Sequence, residues 1–182
     1  MNAVEFLQPG MSKKPNTRGG RLPSPRKQSE EFGGAKKGLV ICENCDIYNY
    51  KKSWHHNADS FIADRENKDI PIHFSLCPAC AMIKNKQYEG KIVIKNIPSA
   101  QKKDLMNLIK GYCDRAFSQD PLDRLIGVVQ DGSSLIVTVT KNQLARRLAK
   151  KIKDAFNKVK VSNPNLREPG DVANITVEFL DK

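Results

Sequence analysis

The 182-residue chain predicts an α+β protein in three parts: a basic flexible tail over 1–38, a small cysteine-held module over 39–90, and a ferredoxin-like βαββαβ domain over 91–182. Three observations lead there. The first 37 residues mix Lys, Arg, Pro, Ser and Gly with few apolar side chains. Two Cys-x-x-Cys pairs stand at Cys42/Cys45 and Cys77/Cys80. From Lys91 onward, short β-branched runs alternate with two stretches whose apolar residues recur at helical spacing.

The tail contains Lys13-Lys14-Pro15, Arg18-Gly19-Gly20-Arg21 and Pro23-Ser24-Pro25-Arg26-Lys27. So little apolar surface does not offset the entropy of ordering, and the segment is expected to be disordered when free. Against RNA, Arg18 and Arg21 would lie along phosphates while the glycines let the backbone approach. A solubilising tail without a fixed partner is the plainer alternative.

In the module, two residues between paired cysteines let both sulfurs of a tight turn point at one centre, and two such turns facing each other close the tetrahedron that Zn2+ prefers. Cys42, Cys45, Cys77 and Cys80 are therefore the predicted ligands of a structural zinc, and the module a four-cysteine zinc ribbon. A redox motif needs only one pair. The insert Asp46 to Leu76 has 31 residues, longer than the roughly 15–20 of the commonest double-knuckle spacing, so it must form a hairpin or short helix of its own. A module of this size buries a small core, and metal binding would supply folding free energy on the order of 10 kcal/mol. Between the knuckles, Tyr48, Tyr50, Lys51, Lys52 and Trp54 mix aromatic and basic character. They suit either stacking on single-stranded RNA or packing against the knuckle as a miniature core. His55, His56 and His73 are further ligand types, but four cysteines already complete a site.

In the third part, Lys91 to Asn96 alternates as a strand, and Ser99 offers an N-cap for a helix through about Phe117 with Leu105, Ile109, Tyr112 and Cys113 on one face. Leu122 to Gln130 reads as a strand, Asp131-Gly132 as a hairpin turn and Leu135 to Val139 as the returning strand. Thr140-Lys141-Asn142-Gln143 has the capping-box pattern. The helix after it would place Leu144, Leu148, Ile152, Phe156 and Val159 on one face, before a last strand from Asn174 to Leu180. With both helices on one side of such a sheet, Val93, Lys95, Ile136, Thr138, Thr176 and Glu178 are left on the open face. None is aromatic, which disfavours base stacking there. The second helix is the better surface: Arg146, Arg147, Lys150, Lys151 and Lys153 face a single acid, Asp154, where a solvated face normally mixes signs.

The formal net charge of +11 favours an anionic partner, nucleic acid first and a membrane surface second. Residues 1–37 carry 8 basic and 3 acidic side chains, 38–90 carry 6 and 7, and 91–182 carry 17 and 10. The field thus comes from the tail and the C-terminal domain. No apolar run approaches the roughly 20 residues of a membrane span, and the N-terminus lacks a signal-peptide core, so a cytoplasmic protein is expected. Five cysteines fit a reducing compartment, with Cys113 as a small core residue. Asn174-Ile175-Thr176 matches a glycosylation sequon by chance inside a strand. There is no nucleophile–base pair, no phosphate-cradling glycine loop and no open metal position, so no enzyme is expected.

The paired knuckles, Gly90-Lys91-Ile92-Val93-Ile94, Asp120-Pro121-Leu122-Asp123-Arg124, and Val137-Thr138-Val139-Thr140 running into Leu144-Ala145-Arg146-Arg147-Leu148 resemble a short prokaryotic zinc-ribbon family. That family is similar to part of the adaptor that escorts the large ribosomal subunit out of the eukaryotic nucleus. The resemblance covers about residues 39 to 180 and carries the four cysteines over as metal ligands. The chain has one set of paired knuckles where the adaptor has more, and lacks its later domains and export signals, so nuclear export is not implied. A ribosome or rRNA partner is. The resulting expectation is a zinc-stabilised, ribosome-associated rRNA-binding factor, on the large subunit, in assembly, subunit joining or dormancy. Neither a membrane nor a small-molecule substrate is expected. The alternative is a DNA-binding or transcription-associated zinc-ribbon protein.

Overall fold

The computed structural model describes residues 38–63, 70–162 and 172–180, which form two sheets within one unit, Lys36–Lys182. The tail residues Arg18 and Arg21 lie outside the described residues.

The smaller sheet is built from Leu39–Cys42 (β1), Tyr48–Tyr50 (β2), Ser53–His55 (β3) and Ile72–Ser75 (β4), in the order β3-β2-β1-β4. A tight turn at Lys51 and Lys52, both at positive φ, joins β2 to β3. The helix Ala58–Ala63 (α1) follows. Leu39, Ile41 and Ala58 are buried together, with Tyr48, Tyr50 and Phe61 packed around them. The long insert thus holds a hairpin, a helix and a strand. A second short helix, Pro78–Lys84 (α2), leads toward the larger sheet.

The larger sheet comprises Gly90–Lys95 (β5), Leu125–Asp131 (β6), Ser134–Val139 (β7), Val159–Ser162 (β8) and Ala173–Phe179 (β9), in the order β6-β7-β5-β9-β8. Its helices are Lys102–Gln119 (α3) and Asn142–Ala155 (α4). The inward residues Ile92, Ile94, Leu135, Val137, Ile175 and Val177 are all buried, and they share one core with Leu105, Ile109 and Cys113 of α3 and Leu144, Leu148 and Ile152 of α4. Each such aliphatic side chain contributes about 1.5–3 kcal/mol of burial. Gly90 marks where α4 crosses β5: a Cβ there would stand 2.5 Å from Ala145 Cβ and 2.7 Å from Val139 Cγ2.

The larger domain departs from the expected four-stranded βαββαβ order. Val159 does not continue α4. The chain leaves the helix at Ala155, Phe156 is extended, Lys158 takes φ 56°, and Val159 opens the edge strand β8. The order is therefore βαββαββ, and β9 pairs parallel to β5 and antiparallel to β8. β6 begins at Leu125, leaving Asp120 to Arg124 as a loop. Neither predicted cap forms. Ser99 opens a short 3-10 turn ahead of α3, and Lys141 rather than Thr140 is the N-cap of α4, without a side-chain bond.

On the open face, register places Val129, Ile136, Val93, Thr176 and Ser162 in one row, with Lys95, Glu178 and Lys160 in another. No aromatic residue stands in either row, in line with the sequence.

Candidate metal centre and its link to a basic helix

Parallel pairing of β1 with β4 makes Cys42 the register partner of Ser75, so both strands deliver their C-terminal ends to one edge of the sheet. Cys45 follows in the turn after β1, and Cys77 two residues beyond β4. The second pair differs from the expected facing turn. Cys77 is the N-cap of α2, its sulfur accepting from the Cys80 backbone N–H at 3.3 Å, with Pro78 as the first helical residue. A proline at that position lacks only an N–H that the helix would leave unpaired anyway.

The four Sγ atoms lie 3.4–3.8 Å apart, with no disulfide among them. Bonds of about 2.3 Å to a tetrahedral centre put sulfurs about 3.8 Å apart, so the cluster has the dimensions of a filled site. Cys42, Cys77 and Cys80 are buried, and Ile47, Trp54, Leu76 and Leu122 pack around them. The Cys77 N–H donates to Cys42 Sγ at 3.3 Å, and Asn44 Nδ2 donates to Cys80 Sγ at 3.5 Å. Burial pushes the Cys77 thiol up, and it also pushes Cys45 up, with the hydrogen bonds Cys45 shares with the Cys42 and Cys80 side chains adding to its shift. Cys42 goes the other way, to about 7: burial raises it, but the N–H groups of Cys77 and Asn44, together with hydrogen bonds to the Cys45 and Cys77 side chains, outweigh that. Sulfurs this close ionise together only around a cation. The four cysteines are therefore placed to hold a metal ion. No histidine joins them: His55 stacks on Tyr48, and His56 Nε2 lies 2.8 Å from the Phe117 carbonyl oxygen.

The loop Asp120 to Arg124 ties this centre to α4. Leu122 packs on the cysteine cluster. The Arg124 guanidinium lies over the Phe117 ring at 4.2 Å, donates through Nε to the Pro121 carbonyl at 3.1 Å, and favours the thiolate form of Cys45. Thr140, read from sequence as a cap, staples the loop instead. Its hydroxyl donates to the Leu122 carbonyl at 2.7 Å and accepts from the Arg124 N–H at 2.8 Å. Asp123, 3% exposed, takes Arg147 of α4 at 2.5 Å and Lys141 at 3.4 Å, and Asp120 takes Lys141 at 2.6 Å. Compared with known families, curated proteins and solved structures, the chain matches none.

The predicted nucleic-acid residues fall in two places. Arg146, Arg147, Lys150, Lys151 and Lys153 are all exposed on α4, and Arg147 alone of these is ion-paired among the described residues. Lys51 and Lys52 are exposed at the β2–β3 turn, with Lys51 Nζ 5.1 Å from the Tyr50 ring centroid. Trp54 is half-buried against the cysteines, as a cover for the cluster. Sequence reasoning gives Asp120, Asp123 and Arg124 no role of their own. Their only local signal is a cluster of charges, two acids and an arginine, around Pro121, which is equally what a turn looks like.

Proposed function

We propose that this is a non-enzymatic, zinc-stabilised factor that binds ribosomal RNA, on the large subunit of the ribosome, in assembly, subunit joining or dormancy. Four thiolates at tetrahedral spacing suit Zn2+, a closed structural site with no position left for substrate. The zinc holds the small sheet and the loop that packs on it. The observation that carries the RNA reading is the outer face of α4: Arg146, Lys150, Lys151 and Lys153 stand exposed with no acid paired to them among the described residues. Unpaired cations on a rigid helix repel one another unless an anion lies along them, and a phosphate backbone supplies one. Lys51 and Lys52 add charge at the tip of the small sheet.

The test has two arms. Tagged protein is sedimented with ribosomes through a sucrose gradient at low salt, and RNA affinity is measured for Arg146→Glu with Lys150→Glu across a salt series. Co-sedimentation with the large subunit, and a variant with weaker binding and a shallower salt slope, are expected. Absence from every ribosomal fraction, or an unchanged affinity and slope, contradicts the reading.

A further inference from the structure

Between α3 and α4 lies a cleft of about 180 Å³ lined by Tyr112, Arg147, Lys150, Lys151 and Asp154. Its lining is mixed in a way that a plain phosphate cradle is not. Three cations converge on it, yet one wall is a carboxylate. Asp154 stands one helical turn after Lys150, within reach of an ion pair but in the less favourable order of base before acid, and no such pair forms among the described residues. The floor is Tyr112, half-buried against the core, which offers part of a flat apolar ring with a polar tip. Arg147 is held in place by the buried Asp123, so one wall is fixed before any ligand arrives.

A ligand satisfying this lining needs an anionic group for the lysines, a flat face for Tyr112 and a hydrogen-bond donor for Asp154. We propose that the cleft is a ribonucleotide subsite of the RNA surface, deepening the RNA-binding reading and resting on it. The phosphate lies against Lys150 and Lys151, the base packs on Tyr112, and Asp154 accepts a hydrogen bond from the ribose 2′-hydroxyl, the group that separates RNA from DNA. Stacking on an aromatic side chain is worth about 1–3 kcal/mol per base, which corresponds to roughly five- to 150-fold in affinity.

Fluorescence anisotropy with a labelled single-stranded RNA and the same sequence as DNA tests this on the full chain. The comparison uses wild type, Asp154→Ala, Tyr112→Leu and, outside the cleft, Arg146→Glu. Wild type is expected to prefer RNA. Asp154→Ala, a surface change to a better helix former, is expected to abolish that preference while DNA affinity stays level or rises slightly. Tyr112→Leu is expected to weaken both nucleic acids at least about fivefold, and since its ring also touches the core, Asp154→Ala carries the test if that variant does not fold. An RNA-to-DNA ratio unchanged by Asp154→Ala, or equal gains for both nucleic acids, overturns the subsite. If Arg146→Glu still weakens RNA in that case, RNA binding by α4 stands without it. Wild type binding neither nucleic acid removes both.

Discussion

Asp123 and Arg147 meet at 2.5 Å with the acid buried and the guanidinium half exposed. The carboxylate is thus committed to the fold, while the cation it fixes remains available at the surface. Removing Arg147 leaves that buried charge with Lys141 alone among the described residues, at 3.4 Å. Loss of one charged hydrogen-bond partner costs about 1–3 kcal/mol. Arg147→Ala is accordingly expected to lower the urea midpoint without changing the slope of unfolding. An unchanged midpoint would show that Asp123 does not depend on this pair.

Asp120 gives the same region a pH dependence. Burial raises its pKa, but the hydrogen bond from Lys141, the Leu122 N–H and the positive charges nearby outweigh burial and hold it below the ordinary value. A carboxyl depressed in the folded state adds stability above its unfolded pKa, about 4, and loses that contribution as pH falls through the folded value. The stability gap between wild type and Asp120→Asn is expected to be constant from about pH 7 to about pH 5 and to shrink below about pH 4. Comparison with the variant subtracts the acid sensitivity that the thiolates impose on both proteins. A gap that widens on acidification would reverse the assignment.

Gly90 tests the packing of α4 on the sheet. A methyl group there would press on the Ala145 and Val139 side chains and on the Lys141 carbonyl, 3.1 Å away. Overpacking of this kind costs about 1–3 kcal/mol. Gly90→Ala is expected to lower the melting temperature by several degrees, whereas Gly132→Ala, which meets nothing within 4 Å, adds only the strain of its φ of +55°. Equal losses at the two sites would show that α4 and β5 are less closely fitted than this contact requires.

Cys113 is expected to be chemically silent. Burial pushes its thiol up to about 11, with Asp114 and Asp123 adding to the effect, and it is 2% exposed. In metal-loaded native protein a maleimide reagent should leave it unlabelled, and labelling should appear only on denaturation. Rapid native labelling at Cys113 would contradict its place in the core.

Much of this was legible because local pattern and final packing agree. The alternation Ile92/Ile94, Leu135/Val137 and Ile175/Val177 is itself the buried face of the sheet, and Leu144, Leu148 and Ile152 form the inner stripe of α4. The cysteine spacing pointed to the cluster before any geometry did. The strand β8 escaped because no glycine or proline separates it from α4, and the break comes from a left-handed lysine, Lys158, which residue preference does not announce. The roles of Asp123, Arg124 and Thr140 escaped for another reason. Each acts on a partner at least 7 residues away, Arg124 on Phe117, Thr140 on Leu122 and Asp123 on Arg147, and helical or strand periodicity carries no information about such pairs. Thr140 in particular satisfies a capping pattern and then spends its hydroxyl elsewhere.

The most direct measurement is the metal content and folding of the purified chain, by elemental analysis alongside circular dichroism, before and after Cys42, Cys45, Cys77 and Cys80 are replaced by serine. One zinc per chain is expected, with a four-thiolate spectrum on cobalt substitution, and chelation or the serine variant should unfold at least the small sheet. A chain without stoichiometric metal, folded equally well after the four replacements, would contradict the account.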